Sequence, residues 1–460
     1  MLLKNIVKIC FAGALLTIPF LGCKKFVEVP PPKTQVVNSE VFKDSQAATS
    51  AVLGIYINML SDFDFENSGV TAFSGLSADE LEDFNQITEN LQFQNNALLP
   101  SNGTIANMWG SAYKTMLLIN TCIEGLKASS SLTPAVKNQL LGECEFDRAF
   151  INFYLVNLWG NVPLVISSDW RQNQTIGQSS PATLNSAIIA DLKSAQTLLT
   201  ESYPTDGHVR PNKWAATALL ARVYLYNNDY ANAEIQADAV IKSGIYTPLP
   251  NPNDAFLASS QEAIWQLMPS QNIVLTTQEA VVFLGYTGNP PNFTIKNSLF
   301  NSFEAGDARK TDWITSLSYN NQFYNVPFKY KDIGTYGSTT PSEYYIMLRC
   351  AEQFLIRAEA RAQLNKTADA LVDLNMIRNR AQLPNLQVTD KATLLMAIAN
   401  ENRHEFFTEW GHRWLDLKRT NQAAPVLSLE KKGWKSTDVL YPIPQTDINT
   451  DRQLKQNPGY

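Results

Sequence analysis

The stretch from Tyr344 to Arg380, YYIMLRCAEQFLIRAEARAQLNKTADALVDLNMIRNR, constrains the fold more than any other part of the chain. Leu348, Ala351, Leu355, Ala358 and Ala362 fall on one stripe at helical spacing. After a break near Leu364–Lys366, Ala368, Leu371, Leu374 and Ile377 form a second stripe. Small residues on facing stripes let two backbones approach closely, so the reading predicts an antiparallel helical hairpin. Trp214, Ala218, Ala221 and Leu225 repeat the arrangement, followed after Asn227–Asp229 by Ala233, Ala237 and Val240. Two such units predict a mainly α scaffold of tetratricopeptide-like repeats rather than a sheet-centred enzyme.

The N-terminus places that scaffold outside the cell interior. Lys4 and Lys8 precede an apolar run from Ile9 to Leu21, too short for a comfortable membrane span and suited to a cleaved export signal over residues 1–22. The run ends in Phe20-Leu21-Gly22-Cys23, which resembles a bacterial lipobox, so Cys23 is the expected lipidation site. Residues 23–37, with Pro30-Pro31-Pro32, read as an extended tether. Losing the leader removes two lysines and no acid, so the formal charge of −6 becomes −8. That acidity offers no general attraction to nucleic acid. Cys122, Cys144 and Cys350 remain, widely spaced and without a CxxC, which predicts buried free thiols rather than a disulfide framework or metal site.

Start signals then recur through the chain. Thr133-Pro134 and Ser180-Pro181 each announce a helix, and Asp206-Gly207 a turn. Residues 38–243 therefore read as an N-terminal helical part. Residues 244–344 break the pattern, rich in Pro, Gly, Asn and aromatic rings, and read as an irregular lobe packed on the scaffold and as the preferred source of binding chemistry. Residues 345–460 return to helix and close in a tail. A single final helix is expected from near Thr393 to Trp414, with Glu409 and Arg413 paired at the favourable i,i+4 spacing.

In this order the segments resemble the SusD/RagB family of surface lipoproteins from nutrient-uptake systems. The residues that carry the resemblance are FLGCKKF, FDRAFINFYLVNLWGNVPLV at 146–165, RPNKWAATALLARVYLYNNDY at 210–230, LRCAEQFLIRAEARAQLN at 348–365, ENRHEFFTEWGHRWLDLKR at 401–419, and the terminal YPIP and QNPGY. The resemblance implies a SusD-like fold, an outer-membrane location through lipid on Cys23, and a SusC-like TonB-dependent transporter as partner. It implies capture of an oligo- or polysaccharide, or in some members a peptide.

Sugar recognition needs aromatic faces against C–H faces, flanked by polar groups for the hydroxyls. Two segments offer that mixture: Asp79, Glu80, Phe84 and Asn85 in an early loop, and Trp313, Phe323 and Tyr324 in the irregular lobe. These seven are the candidate ligand-binding residues. Catalysis has no comparable signal, since no GxSxG elbow, P-loop or dinucleotide fingerprint occurs. Glu401, His404 and Glu405 do not reproduce HExxH, and structural ion pairing is the simpler reading. No cofactor is expected. A glycoside hydrolase and a purely structural surface protein stand as the alternatives outside binding.

Overall fold

The computed structural model describes residues 38–61, 65–246, 251–269, 275–285, 289–334 and 340–460. The leader, the tether with Cys23, and the aromatics Phe63 and Tyr286 lie outside the described residues.

Local capping chemistry sets the helices. Asp44 accepts a hydrogen bond from the Ala47 amide and starts α1 (Ser45–Met59). Helix α2 (Gly69–Ser77) leads into strand β1 (Leu81–Asp83), and α3 (Thr88–Gln94) follows. Asn102 caps α4 (Gly103–Ala128). Helices α5 (Pro134–Trp159) and α6 (Pro181–Leu198) carry proline in the first turn, where a missing N–H leaves nothing unsatisfied, behind Thr133 and Ser180 caps. Helices α7 (Lys213–Tyr226) and α8 (Tyr230–Lys242) form a hairpin that turns through Asn228 at φ 58°.

Residues 244–344 hold β2 (Ala263–Leu267), α9 (Gln278–Leu284), β3 (Phe293–Ile295), β4 (Ile314–Tyr319) and β5 (Gln322–Pro327). Strand β3 pairs antiparallel with β1 of the N-terminal part. Strand β2 pairs with β6 (Tyr345–Arg349), so strands stitch this region to both of its flanks. Helices α10 (Cys350–Gln363) and α11 (Thr367–Arg380) follow, turning at Asn365 with φ 63°, then α12 (Lys391–Phe406), α13 (His412–Arg419) and α14 (Ala423–Glu430).

The helices stack in series as tetratricopeptide-like hairpins. Helix α5 packs on α6, α7 on α6 and α8, α8 on α10, and α10 on α11. Ala233 and Ala237 meet this interface fully buried, as do Ala351, Ala358 and Ala362. Arg357 bridges the two hairpins, binding Asp373 at 2.6 Å and Asp238 at 2.7 Å. Two expectations need correction. Tyr345–Arg349 is a strand, and the second hairpin starts only at Cys350, because β2 supplies a partner for the residues before it. The final helix is also interrupted: Thr408, Trp410 and Gly411 take φ values of 49°, 45° and 65°. That left-handed turn brings the chain against α2, where the Trp410 amide donates to Thr71 Oγ1 at 3.0 Å and its indole to the Ile346 carbonyl at 3.0 Å. A Cβ at Gly411 would stand 2.8 Å from Ser74, so the approach needs glycine.

A buried ion network joins the C-terminal helices to the irregular region. Arg349 reaches Glu262 at 2.7 Å, Glu405 at 2.5 Å and Glu409 at 2.7 Å. Arg309 binds Asp307 at 2.8 Å, Glu401 at 2.7 Å and Glu405 at 3.1 Å. Arg380 pairs with Glu262 and Glu405, and Lys329 with Glu409. Burial pushes the Glu405 carboxyl upward, but the charges of Arg380, Arg349 and Arg309 outweigh it and hold the group well below the usual carboxylate range. Glu409 therefore serves Arg349 and Lys329 and not Arg413, which overturns the local i,i+4 pair. Cys122, Cys144 and Cys350 are buried free thiols.

Removing one member of such a network leaves uncompensated charge in the core. Glu405→Ala is expected to lower the unfolding free energy by about 3–5 kcal/mol, seen as a lower urea midpoint at constant slope. A change within about 0.5 kcal/mol, the usual size at an exposed site, would show that the network carries no such weight.

Candidate functional site

Two segments far apart in sequence build an aromatic ridge. Strand β1 aligns Asp83 with Phe293, and the Phe84 amide donates to the Asn292 carbonyl at 3.0 Å. The turn after it is stapled by Asp83, whose carboxylate accepts from the Ile87 amide at 2.6 Å and from Asn90 Nδ2 at 2.8 Å. This holds Phe84 and Asn85 at the surface. Strands β4 and β5 form a hairpin through Asn320 and Asn321, both with positive φ, as a two-residue turn matching strand twist requires.

Opposed residues of the hairpin share a face, and neighbours alternate. Leu317 opposes Tyr324 and Tyr319 opposes Gln322, so Tyr319 and Tyr324 stand on one face. Phe84 covers that face, edge to ring, at 4.9 Å from Tyr324 and 5.9 Å from Tyr319. All three rings are half-buried. Asn85 Nδ2 lies 3.4 Å from Asn292 Oδ1, and Tyr324 donates to Gln322 Oε1 at 2.6 Å. Phe323 points to the opposite face, paired with Ser318 and 77% exposed, beside Ser316 and Asn325, whose side chains bond at 2.8 Å. Of the seven candidates, the structure thus brings Phe84, Asn85 and Tyr324 together and sets Phe323 behind them.

The other three are corrected. Asp79 is 2% exposed and receives Arg413 through Nε at 2.7 Å and Nη2 at 3.0 Å, with Arg403 at 2.6 Å. Burial raises its pKa, but bonding to Arg413 and the nearby guanidinium charges prevail and hold it below the ordinary value. Glu80 is buried beside it. Burial, reinforced by the Asp79 charge, pushes its carboxyl up to about 8, and one oxygen accepts from the Thr408 amide at 3.2 Å. Trp313 is fully buried, its indole donating to the Pro252 carbonyl at 2.8 Å and its face under Lys329 at 4.6 Å. A ligand has no access to any of these three.

They position the ridge instead. The Asp79 clamp fixes the approach to β1, while Arg309 just before β4 and Lys329 just after β5 pin the hairpin root to Glu405 and Glu409. Tyr319, Asn292 and Asp83 were not anticipated. The alternation of ITSLSY and QFYNVP around Asn-Asn was the signal that could have shown the hairpin. A cleft of about 440 Å³ lies elsewhere, between α10, α12, α13 and α14, lined by Met396, Arg403, Arg413 and Arg419. Its guanidinium groups are already engaged, Arg403 and Arg413 by Asp79 and Arg419 by Glu359 at 2.6 Å. Among the described residues, no group of His, Cys, Asp and Glu has the makings of a metal site, and no helix is long and apolar enough to cross a membrane.

Comparison with known proteins places these features in a wider set. A family model described as "SusD family" matches residues 291–460, and one described as "Starch-binding associating with outer membrane" matches residues 25–225. SusD-like protein P25 of Formosa agariphila is 22% identical over 534 aligned positions, covering 100% of both chains. A SusD superfamily protein from Bacteroides vulgatus superposes with a TM-score of 0.78 at 18% identity, covering 91% of this chain and 100% of the other. Surface glycan-binding protein A from Bacteroides thetaiotaomicron, solved with laminarihexaose, gives 0.75 at 21% identity, covering 90% and 99%.

The raised Glu80 pKa has a stability consequence with a definite sign. Between the ordinary carboxyl value of 4.5 and about 8 the folded chain holds a proton that the unfolded chain releases, so this residue makes stability fall as pH rises. Glu80→Gln should therefore gain on the native chain by up to roughly 1.4 kcal/mol per pH unit across that window. Urea titrations at pH 5 and pH 8.5 would check it; a stability difference independent of pH contradicts it.

Proposed function

The chain belongs to the SusD/RagB family, and from that premise we propose that it captures an oligo- or polysaccharide at the cell surface and passes it to a TonB-dependent outer-membrane transporter. Lipid on Cys23 holds it at the outer membrane. The observation that carries the sugar reading is the ridge of Phe84, Tyr319 and Tyr324, with Asn85, Asn292 and Gln322 beside the rings. Such rings supply apolar faces for pyranose C–H groups, and amides meet the hydroxyls. A shallow ridge suits a chain-like ligand, which gains several modest contacts without entering a pocket. The second face, with Phe323, Ser316 and Asn325, extends the same chemistry across the hairpin. In this role the ligand is held and released unchanged. Capture by a tethered receptor raises the local concentration that the transporter meets.

A solved neighbour of the same fold carries laminarihexaose, so laminarin oligosaccharides head the panel of ligands to try. Calorimetry against that panel and a peptide mixture tests the reading. Glycan binding that weakens roughly tenfold in Tyr324→Ala supports it. Clear peptide binding with no glycan bound overturns the carbohydrate assignment, and glycan cleavage that survives repeated purification overturns the receptor role. Capture of a TonB-dependent barrel from detergent-solubilised outer membranes is the expected result for the partner.

A further inference from the structure

Trp170 is 63% exposed, whereas Trp109, Trp159, Trp265, Trp313, Trp410 and Trp414 are buried and Trp214 and Trp434 half-buried. Its surroundings are held firmly. Along one stripe of α4, Tyr113 donates to the Pro163 carbonyl at 3.0 Å, Asn120 donates to the Val165 carbonyl at 3.0 Å, and Glu124 accepts from Ser167 Oγ at 2.9 Å and the Ser168 amide at 2.8 Å. Asp169 then caps the short turn that begins at Trp170. Leu117 belongs to the same stripe and is 46% exposed, and Ile166 on the docked segment is 60% exposed. A fixed scaffold thus presents tryptophan, isoleucine and leucine outward, with the Arg171 guanidinium 5.3 Å from the indole centroid.

The same end of α4 receives Phe42, near the start of the described residues. Phe42 lies against Gly125 so closely that a Cβ there would fall 2.1 Å from its ring, and Ser129 Oγ donates to the Phe42 carbonyl. Glu124, which binds Ser167 and Ser168 on one side, lines a cleft with Phe42 and Lys43 on the other. From Cys23 to Asn38 the chain spans no more than about 50 Å even fully extended. A folded body of this length is about 60 Å across. The reach is shorter than the body is wide, so the end where Phe42 docks cannot be the end farthest from a membrane that holds Cys23, and Trp170 stands at that end.

We propose that the Trp170, Ile166 and Leu117 patch rests on the lipid interface, as a second contact beside the covalent anchor. Indole rings favour the boundary between head groups and hydrocarbon, and an arginine beside one can extend its charge to the head groups. Two contacts fix orientation where one anchor only limits distance. The ridge lies toward the opposite end of α4, because Asn102 at its start bonds Glu89 and Gln92 in the helix after Phe84. A helix of 26 residues spans about 39 Å, so the ridge stands well apart from the patch along α4.

This inference rests on the lipid anchor, and the test separates the two. The full lipidated chain is reconstituted in phosphatidylethanolamine–phosphatidylglycerol vesicles, with and without lipid brominated near the head of its acyl chains, and then floated. Flotation, with bromine quenching the share of emission that Trp170→Phe lacks among the nine tryptophans, is the expected result. Flotation with equal quenching of native chain and variant, or with none in either, overturns the patch and leaves the anchor standing. A chain that does not float overturns both.

Discussion

The carboxylate of Glu405 is the constraint on which the C-terminal half depends. Three guanidinium groups, from Arg309, Arg349 and Arg380, converge on it from the irregular region, from β6 and from α11. Each of these charges is buried, so each alone would face a desolvation cost of several kcal/mol. Their mutual pairing, extended through Glu262, Glu401, Glu409 and Asp307, is what makes the site tolerable. Aromatic rings line the same volume: Arg349 lies 4.2 Å from the Phe406 centroid and Lys329 the same distance from Phe407. The network is specific because a misplaced helix would strand charge, and not merely lose contact.

That specificity reaches the surface. Helices α12 and α13, with the turn between them, hold both halves of the aromatic ridge. Arg403 and Arg413 grip Asp79 ahead of β1, while Glu405 and Glu409 grip the two ends of the β4–β5 hairpin through Arg309 and Lys329. In the proposed role a shallow surface gains little from enclosure, so ring placement must come from the support beneath. The left-handed turn at residues 408–411 serves that support. It drops Trp410 onto Tyr345, with centroids 5.4 Å apart, and separates Glu401 and Glu405 of α12 from Arg413 of α13.

The repeat helices perform a different task. Their stacked hairpins carry alanine at the interfaces and charge pairs at the edges, as in Arg357 with Asp373 and Asp238. This makes a rigid frame on which the irregular region can hold conformations that no local propensity would choose. Rigidity also gives the molecule two ends: α4 runs from the helix behind Phe84 to the docking place of Phe42. In the proposed role, such an axis gives an anchored receptor a defined direction in which to hold its ligand.

Helix starts were legible in the sequence, since caps such as Thr133-Pro134 and Ser180-Pro181 act within one turn. The alanine stripes likewise gave the two hairpins, because periodicity reports the buried face of a helix directly. The roles of individual rings and carboxylates were not legible. Trp313 and Tyr324 sit in equally polar-aromatic surroundings, yet one is enclosed by Phe256 and Lys329 and the other lies on the surface. Asp79 reads as a free acid until Arg413, 334 positions away, binds it. Burial and charge pairing across such separations belong to the assembled body, and only the tertiary structure decides which polar group faces water and which faces its counter-ion.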